Sequence, residues 1–149
     1  MNFFTGGWNL IIMAKSASKT VATVLLVEPH EPTQLVIMLA LEPVGVGVLP
    51  VFNKEEAIAA ARLIKFSACI SETRLPDGSG LDLADELLEL QPNIRVLYYA
   101  TSVTPEEAEL ITRRGETLLH KPVCMVDLRQ SAVHLLVEAG LPVTANATV

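Results

Sequence analysis

Short apolar runs alternate with stripes of helical spacing along most of the chain. Val21 to Val27 is apolar without regular alternation, the pattern of a strand covered on both faces. Pro32 opens a helix whose expected buried stripe is Leu35, Met38 and Leu39, and Glu42-Pro43 stops it. Val46 to Phe52 reads as a second strand, placed at a sheet edge by Pro50, which has no N–H for a ladder. Asn53 with Glu56 makes a capping-box-like helix start, followed by an Ala57, Ala60, Ala61 and Ile64 face. Ser67 to Glu72 is a third strand, and Thr73 to Ser79 a loop around the turn signal Pro76-Asp77-Gly78. Leu81, Ala84, Leu87 and Leu88 mark a helix ended by Gln91-Pro92-Asn93, and Ile94 to Ala100 is a fourth strand. Thr104-Pro105-Glu106-Glu107 starts a helix that Gly115 ends. Thr117 to His120 is a fifth strand, and Leu128, Ala132, Leu135 and Leu136 line a last helix closed by Gly140.

Five strands alternating with five helices predict an α/β domain: a doubly wound, five-stranded parallel sheet over residues 21–140. Residues 141–149 are expected to be a C-terminal tail. Residues 1–20 form an N-terminal extension carrying Phe3, Phe4, Trp8, Leu10, Ile11 and Ile12. This extension is either a loose leader upstream of a start at Met13 or an arm that docks its apolar side chains on the domain or a partner.

With 149 residues and half of them hydrophobic, one core suffices, and aromatics at 5% leave it to Val, Leu, Ile and Ala. A net charge of -6, with no Lys/Arg cluster, argues against nucleic acid as a partner. No apolar run reaches the roughly 18 residues of a membrane span, and no basic segment precedes residues 8–14 as a signal peptide requires. A cytoplasmic protein is expected. Cys69 and Cys124, each beside apolar residues, read as buried reduced thiols.

Ligands of such sheets bind outside the carboxyl ends of the strands. Those ends carry Glu28-Pro29, Ser71-Glu72, Ala100-Thr101 and His120-Lys121-Pro122, so two carboxylates and one ammonium converge on one edge. With Thr73-Arg74-Leu75-Pro76-Asp77-Gly78-Ser79-Gly80 after strand three and Leu118-Leu119-His120-Lys121-Pro122 at strand five, residues 22–138 resemble the receiver domain of two-component response regulators. The resemblance implies the flavodoxin-like (βα)5 topology and a Lys-Pro peptide that is commonly cis. It places Glu72 at the phosphoacceptor aspartate, Glu28 and Pro29 at the acidic pair that binds Mg²⁺, and Ala100 and Leu118 at the two switch positions. Only Lys121, followed by Pro122, keeps the family residue.

Phosphoryl transfer to a carboxylate needs in-line placement, a divalent cation and charge neutralisation. Pro29 removes a cation ligand and Ala100 a hydroxyl donor. Thr101, one step further along the strand, points to the opposite face. The extra methylene of Glu72 moves its oxygens by about 1 Å, and misplacement of that order costs about 10²-fold. Ordinary phosphorylation is therefore expected to be lost or impaired. No cofactor is expected, and Mg²⁺ only if the pocket is still competent, with Glu28, Glu72 and Arg74 the weak remaining metal candidates. His30 and His120 flank the pocket without a third ligand at metal spacing.

The expected function is signalling by protein contact, without enzymatic turnover: an atypical, stand-alone receiver, its partner a sensor histidine kinase or other signalling protein. A homodimer through the fourth helix, fifth strand and fifth helix is the pairing the resemblance implies. Glu72 paired with Lys121 would then fix a locked signalling state or be an inert remnant. The alternatives are a phosphorylation-competent receiver in a phosphorelay, with Glu72 as acceptor and Glu28 holding Mg²⁺, and a nucleotide or flavin domain of the same topology, disfavoured because no G-x-G-x-x-G loop is present.

Overall fold

A computed structural model describes residues 23–140. The expectations for the N-terminal extension and the C-terminal tail lie outside the described residues. Strands β1 (Thr23–Val27), β2 (Gly47–Val51), β3 (Ala68–Glu72), β4 (Arg95–Ala100) and β5 (Thr117–His120) form one sheet in the order β2-β1-β3-β4-β5. Every pairing in it is parallel. Helices α1 (Glu31–Leu41), α2 (Lys54–Ala61), α3 (Gly80–Leu90) and α4 (Pro105–Arg113) make the four crossovers, and α5 (Met125–Glu138) follows the last strand. This is the doubly wound five-stranded sheet of the flavodoxin-like receiver topology. Pro50 lies on β2, an edge strand, where its missing N–H leaves no gap in a ladder.

Alternation along the buried strands splits the core in two. Val24, Leu26, Ile70, Leu97 and Tyr99 face α1 and α5, whereas Leu25, Val27 and Cys69 face α2 and α3. Val96 and Tyr98 pack against Ala84 and Ile111, closing the second layer under α3 and α4. Burying each such Leu, Ile or Val stabilises by about 1.5–3 kcal/mol, so strand register is strongly fixed. No helix among the described residues is long and apolar enough to cross a membrane.

The buried face of α1 differs from the expected one. Leu35 and Leu39 are exposed at 56% and 66%, Met38 is half-buried, and Gln34, Ile37, Ala40 and Leu41 are inside. From Leu35 to Leu41 the helix is apolar on every side, so periodicity has no polar face to choose from. Gln34 makes the choice: its Nε2 donates to the carbonyls of Glu28 and Val51, each at 2.9 Å, and these bonds orient the helix on the ends of β1 and β2.

The loop after β3 is a small antiparallel hairpin, Arg74–Leu75 against Gly78–Ser79. Asp77 at its tip accepts the N–H groups of Lys54 and Glu55, at 2.8 and 2.9 Å, and so caps α2 from another segment. Asn53 also caps α2 through the Glu56 N–H, but the Glu56 side chain accepts from Phe52 N–H, one residue earlier than the capping box predicts. Gln91 does more than end α3. Its side chain donates to the Ala61 and Ile64 carbonyls and accepts from Phe66 N–H. Both cysteines are free, but only Cys69 is buried; Cys124 is exposed because it stands at the cap of α5, outside the helical stripe that faces the sheet.

Candidate functional site

The parallel sheet delivers Glu28, Glu72, Ala100 and Lys121 to one edge. Glu72 and Lys121 meet directly: Lys121 Nζ donates to Glu72 Oε2 at 2.7 Å, with side chains 30% and 17% exposed. The ammonium also lies over the Tyr99 ring, 5.1 Å from its centroid. The Lys121–Pro122 peptide is cis.

Two local features hold Glu72. The Ser71 hydroxyl donates to the Glu72 carbonyl at 2.8 Å. Gly80 packs so closely that a Cβ there would come within 2.3 Å of the same carbonyl oxygen, and its N–H donates to Thr73 O at 2.8 Å. The hairpin therefore turns back and starts α3 directly beside the end of β3.

Glu28 is buried at 2% exposure and is fully engaged. The Tyr99 hydroxyl donates to Oε1 at 2.5 Å, and His30 N–H to Oε2 at 2.7 Å. Neither a hydrogen bond nor an ion pair joins Glu28 to Glu72 or Lys121 among the described residues; Tyr99, in register with Glu72 on the neighbouring strand, links them. Burial first, and then the bond to Glu28, push the Tyr99 phenol far above its ordinary pKa. It stays a donor at neutral pH.

Ala100 is fully buried and Thr101 is exposed beyond the strand end. Leu118 is half-buried, paired with Tyr98 and packed under α4. Arg74 points away from the pocket: it is exposed and pairs with Glu107 at 3.7 Å. His30 Nδ1 contacts the Thr33 hydroxyl at 2.8 Å, on the surface.

Receiver folds are expected to hold a divalent cation here, and these side chains do not fit one. Mg²⁺ needs near-octahedral oxygen ligands. Pro29 offers none, both Glu28 oxygens already accept, and one Glu72 oxygen is held by an ammonium. No group of three or more His, Cys, Asp or Glu with metal-holding geometry occurs among the described residues.

Tyr99, Gln34, Gly80 and Asp77 carry much of this geometry and were not singled out as site residues by sequence reasoning. Tyr99 reads as a core or rim residue, and Gln34 is masked by its apolar neighbours. Only a glycine right after a turn signal, and a turn aspartate, were available as hints.

Element order and sheet order match the fold of solved CheY-like response regulator receiver domains. The crystal structure of a CheY-like receiver domain protein from Methanospirillum hungatei superposes with a TM-score of 0.75 at 21% identity, over 80% of this chain and 97% of that one. The chain is 28% identical over 130 residues to the sensory/regulatory protein RpfC of Xanthomonas campestris pv. campestris, 84% of this chain but 18% of that protein. It is 35% identical over 89 residues to the DNA-binding transcriptional activator DevR/DosR of Mycobacterium tuberculosis, 58% of this chain and 41% of that protein. The chain thus spans less than half the length of these curated relatives. No protein-family profile matches it.

Proposed function

We propose that this chain is a receiver module of two-component signalling that acts by protein contact and has lost ordinary phosphorylation of its strand-three carboxylate. The observation that carries this reading is the 2.7 Å ion pair between Lys121 and Glu72. An acceptor carboxylate must present a free oxygen in line with the donor phosphorus, beside a cation. Here the family-type lysine already grips the carboxylate, Pro29 stands where a ligand is needed, and Glu28 is spent on Tyr99 and His30. A negative group held permanently by Lys121 supports a locked signalling state. The partner is a sensor kinase or another signalling protein, in keeping with a relative whose name reads sensory/regulatory protein. Pairing of two copies through α4, β5 and α5 belongs to the same reading.

The test is intact-mass spectrometry after incubation with acetyl phosphate and Mg²⁺, beside a Pro29→Asp, Glu72→Asp double variant. Labelling of the variant alone is expected. Equal labelling of the unaltered chain would replace this reading with a competent phosphorelay receiver. Changed partner binding in Glu72→Gln supports the locked state; unchanged binding makes Glu72 an inert remnant.

A further inference from the structure

The rotation of α1 set by Gln34 leaves an apolar strip uncovered. Leu35 and Leu39 stand one turn apart on one row, and Val36, at 46% exposure, stands beside them. Val36 also lines a groove of about 590 Å³ between the start of α1 and the start of α5, bounded further by Pro32, Ile37, Val123 and Met125. A strip of this kind, continuous with an apolar groove, is a docking surface. Several features of the chain identify what covers it.

The first is topology. Thr23 pairs with Gly47, a few residues after α1 ends, so the chain enters β1 at the same end of the sheet where α1 finishes. Thr23, the first described residue, therefore stands at the end of the sheet where α1 finishes. The second is reach. Met13 to Ala22 is ten residues, enough to span about 33 Å when extended. The strip runs along a helix of 11 residues, about 16 Å long. The third is chemistry. Phe3, Phe4, Trp8, Leu10, Ile11 and Ile12 lie in a stretch without a charged side chain. The fourth is charge. Residues 1–22 carry Lys15 and Lys19 and no acid, while the whole chain is -6, so the remainder carries -8. Attraction between the two parts favours contact.

We infer that residues 3–12 of this chain dock in cis along α1, over Leu35, Val36 and Leu39, and into the adjoining groove. The inference does not depend on the chemistry of Glu72.

Trp8 is the only tryptophan of the chain, so its fluorescence reports the contact directly. In the full chain its emission is expected to be blue-shifted and protected from iodide, independently of protein concentration. A Leu35→Glu, Leu39→Glu variant, with far-UV circular dichroism unchanged, is expected to shift the emission to that of a solvated indole and raise quenching several-fold. Leu63→Glu, at a residue 67% exposed on another part of the surface, is expected to change nothing. A solvated Trp8 in the unaltered chain overturns the inference, as does protection insensitive to the double variant. Protection lost on dilution, together with a dimer by sedimentation, assigns the strip to a second copy and equally overturns it. Should the double variant not fold, a photo-cross-linking residue in place of Trp8 decides: cross-links to α1 within one polypeptide support the contact, and cross-links elsewhere or between chains refute it.

Discussion

Lys121, directly after β5, and Tyr99, on the neighbouring parallel strand β4, lie one over the other, the ammonium 5.1 Å from the ring centroid. The same ammonium holds Glu72, and the same phenol holds Glu28. Two separate carboxylates are thus tied into one arrangement by a single cation–aromatic contact. The edge of the sheet carries a closed network where the resemblance leads one to expect an open acidic pocket.

The Glu72–Lys121 pair contributes orientation more than stability. Both side chains keep some solvent, so screening limits their coupling to about 1 kcal/mol or less. A double-mutant cycle with Glu72→Gln and Lys121→Met, followed by urea unfolding, is expected to return a coupling in that range with unchanged m values. A coupling well above it would mean that water is excluded far more than the exposures indicate.

Tyr99→Phe removes one of the two hydrogen bonds made to the buried Glu28 carboxylate. The carboxylate cannot move to water without unpicking β1 from α1. A loss of about 1–3 kcal/mol follows, read as a lower urea midpoint. In the unaltered protein, burial keeps both Tyr98 and Tyr99 protonated well into the alkaline range. Phenolate absorbance is expected to appear only together with alkaline unfolding, and its growth in the folded protein would count against the buried Tyr99–Glu28 contact.

Gly80→Ala places a methyl carbon 2.3 Å from the Glu72 carbonyl oxygen. The obstacle is backbone, not a flexible side chain, so the start of α3 must shift. Overpacking of this type costs about 1–3 kcal/mol. Alanine is the better helix former, so an unchanged or higher melting temperature would show that the close approach is absent.

Element order and the strand-end residues were legible in the sequence because strand and helix periods differ and most boundaries carry a proline, glycine or cap. The edge position of β2 followed from Pro50 alone. What the sequence hid has a common cause. The side of α1 that faces the sheet was ambiguous because its apolar residues occupy every side, and a single amide, Gln34, breaks the tie through bonds to distant carbonyls. Tyr99 and Glu28 are 71 positions apart, and only the folded sheet makes them neighbours. Asp77 was visible as a turn residue, while its second role depends on where α2 begins in space.

That second role makes stability depend on pH in a defined direction. Partial burial works against ionisation of Asp77, but the N–H groups of Lys54 and Glu55 outweigh it and hold the carboxyl below its ordinary value. A group depressed in the folded state contributes stability above its unfolded pKa, about 3.9, and loses it as pH falls through the folded value. Asp77→Ala is therefore expected to cost about 1 kcal/mol at neutral pH, as other helix caps do. The gap between variant and unaltered protein should narrow as pH falls below about 4. Comparing the two proteins at each pH removes the contribution of Glu116, whose carboxyl burial pushes up and whose effect on stability runs the opposite way; Glu56, also pushed up by burial, is raised further by the Asp77 charge, so its share stays within the gap. Urea midpoints across the acid range measure the gap. A gap that stays constant as pH falls would mean that the aspartate acts through turn geometry and not through its charge.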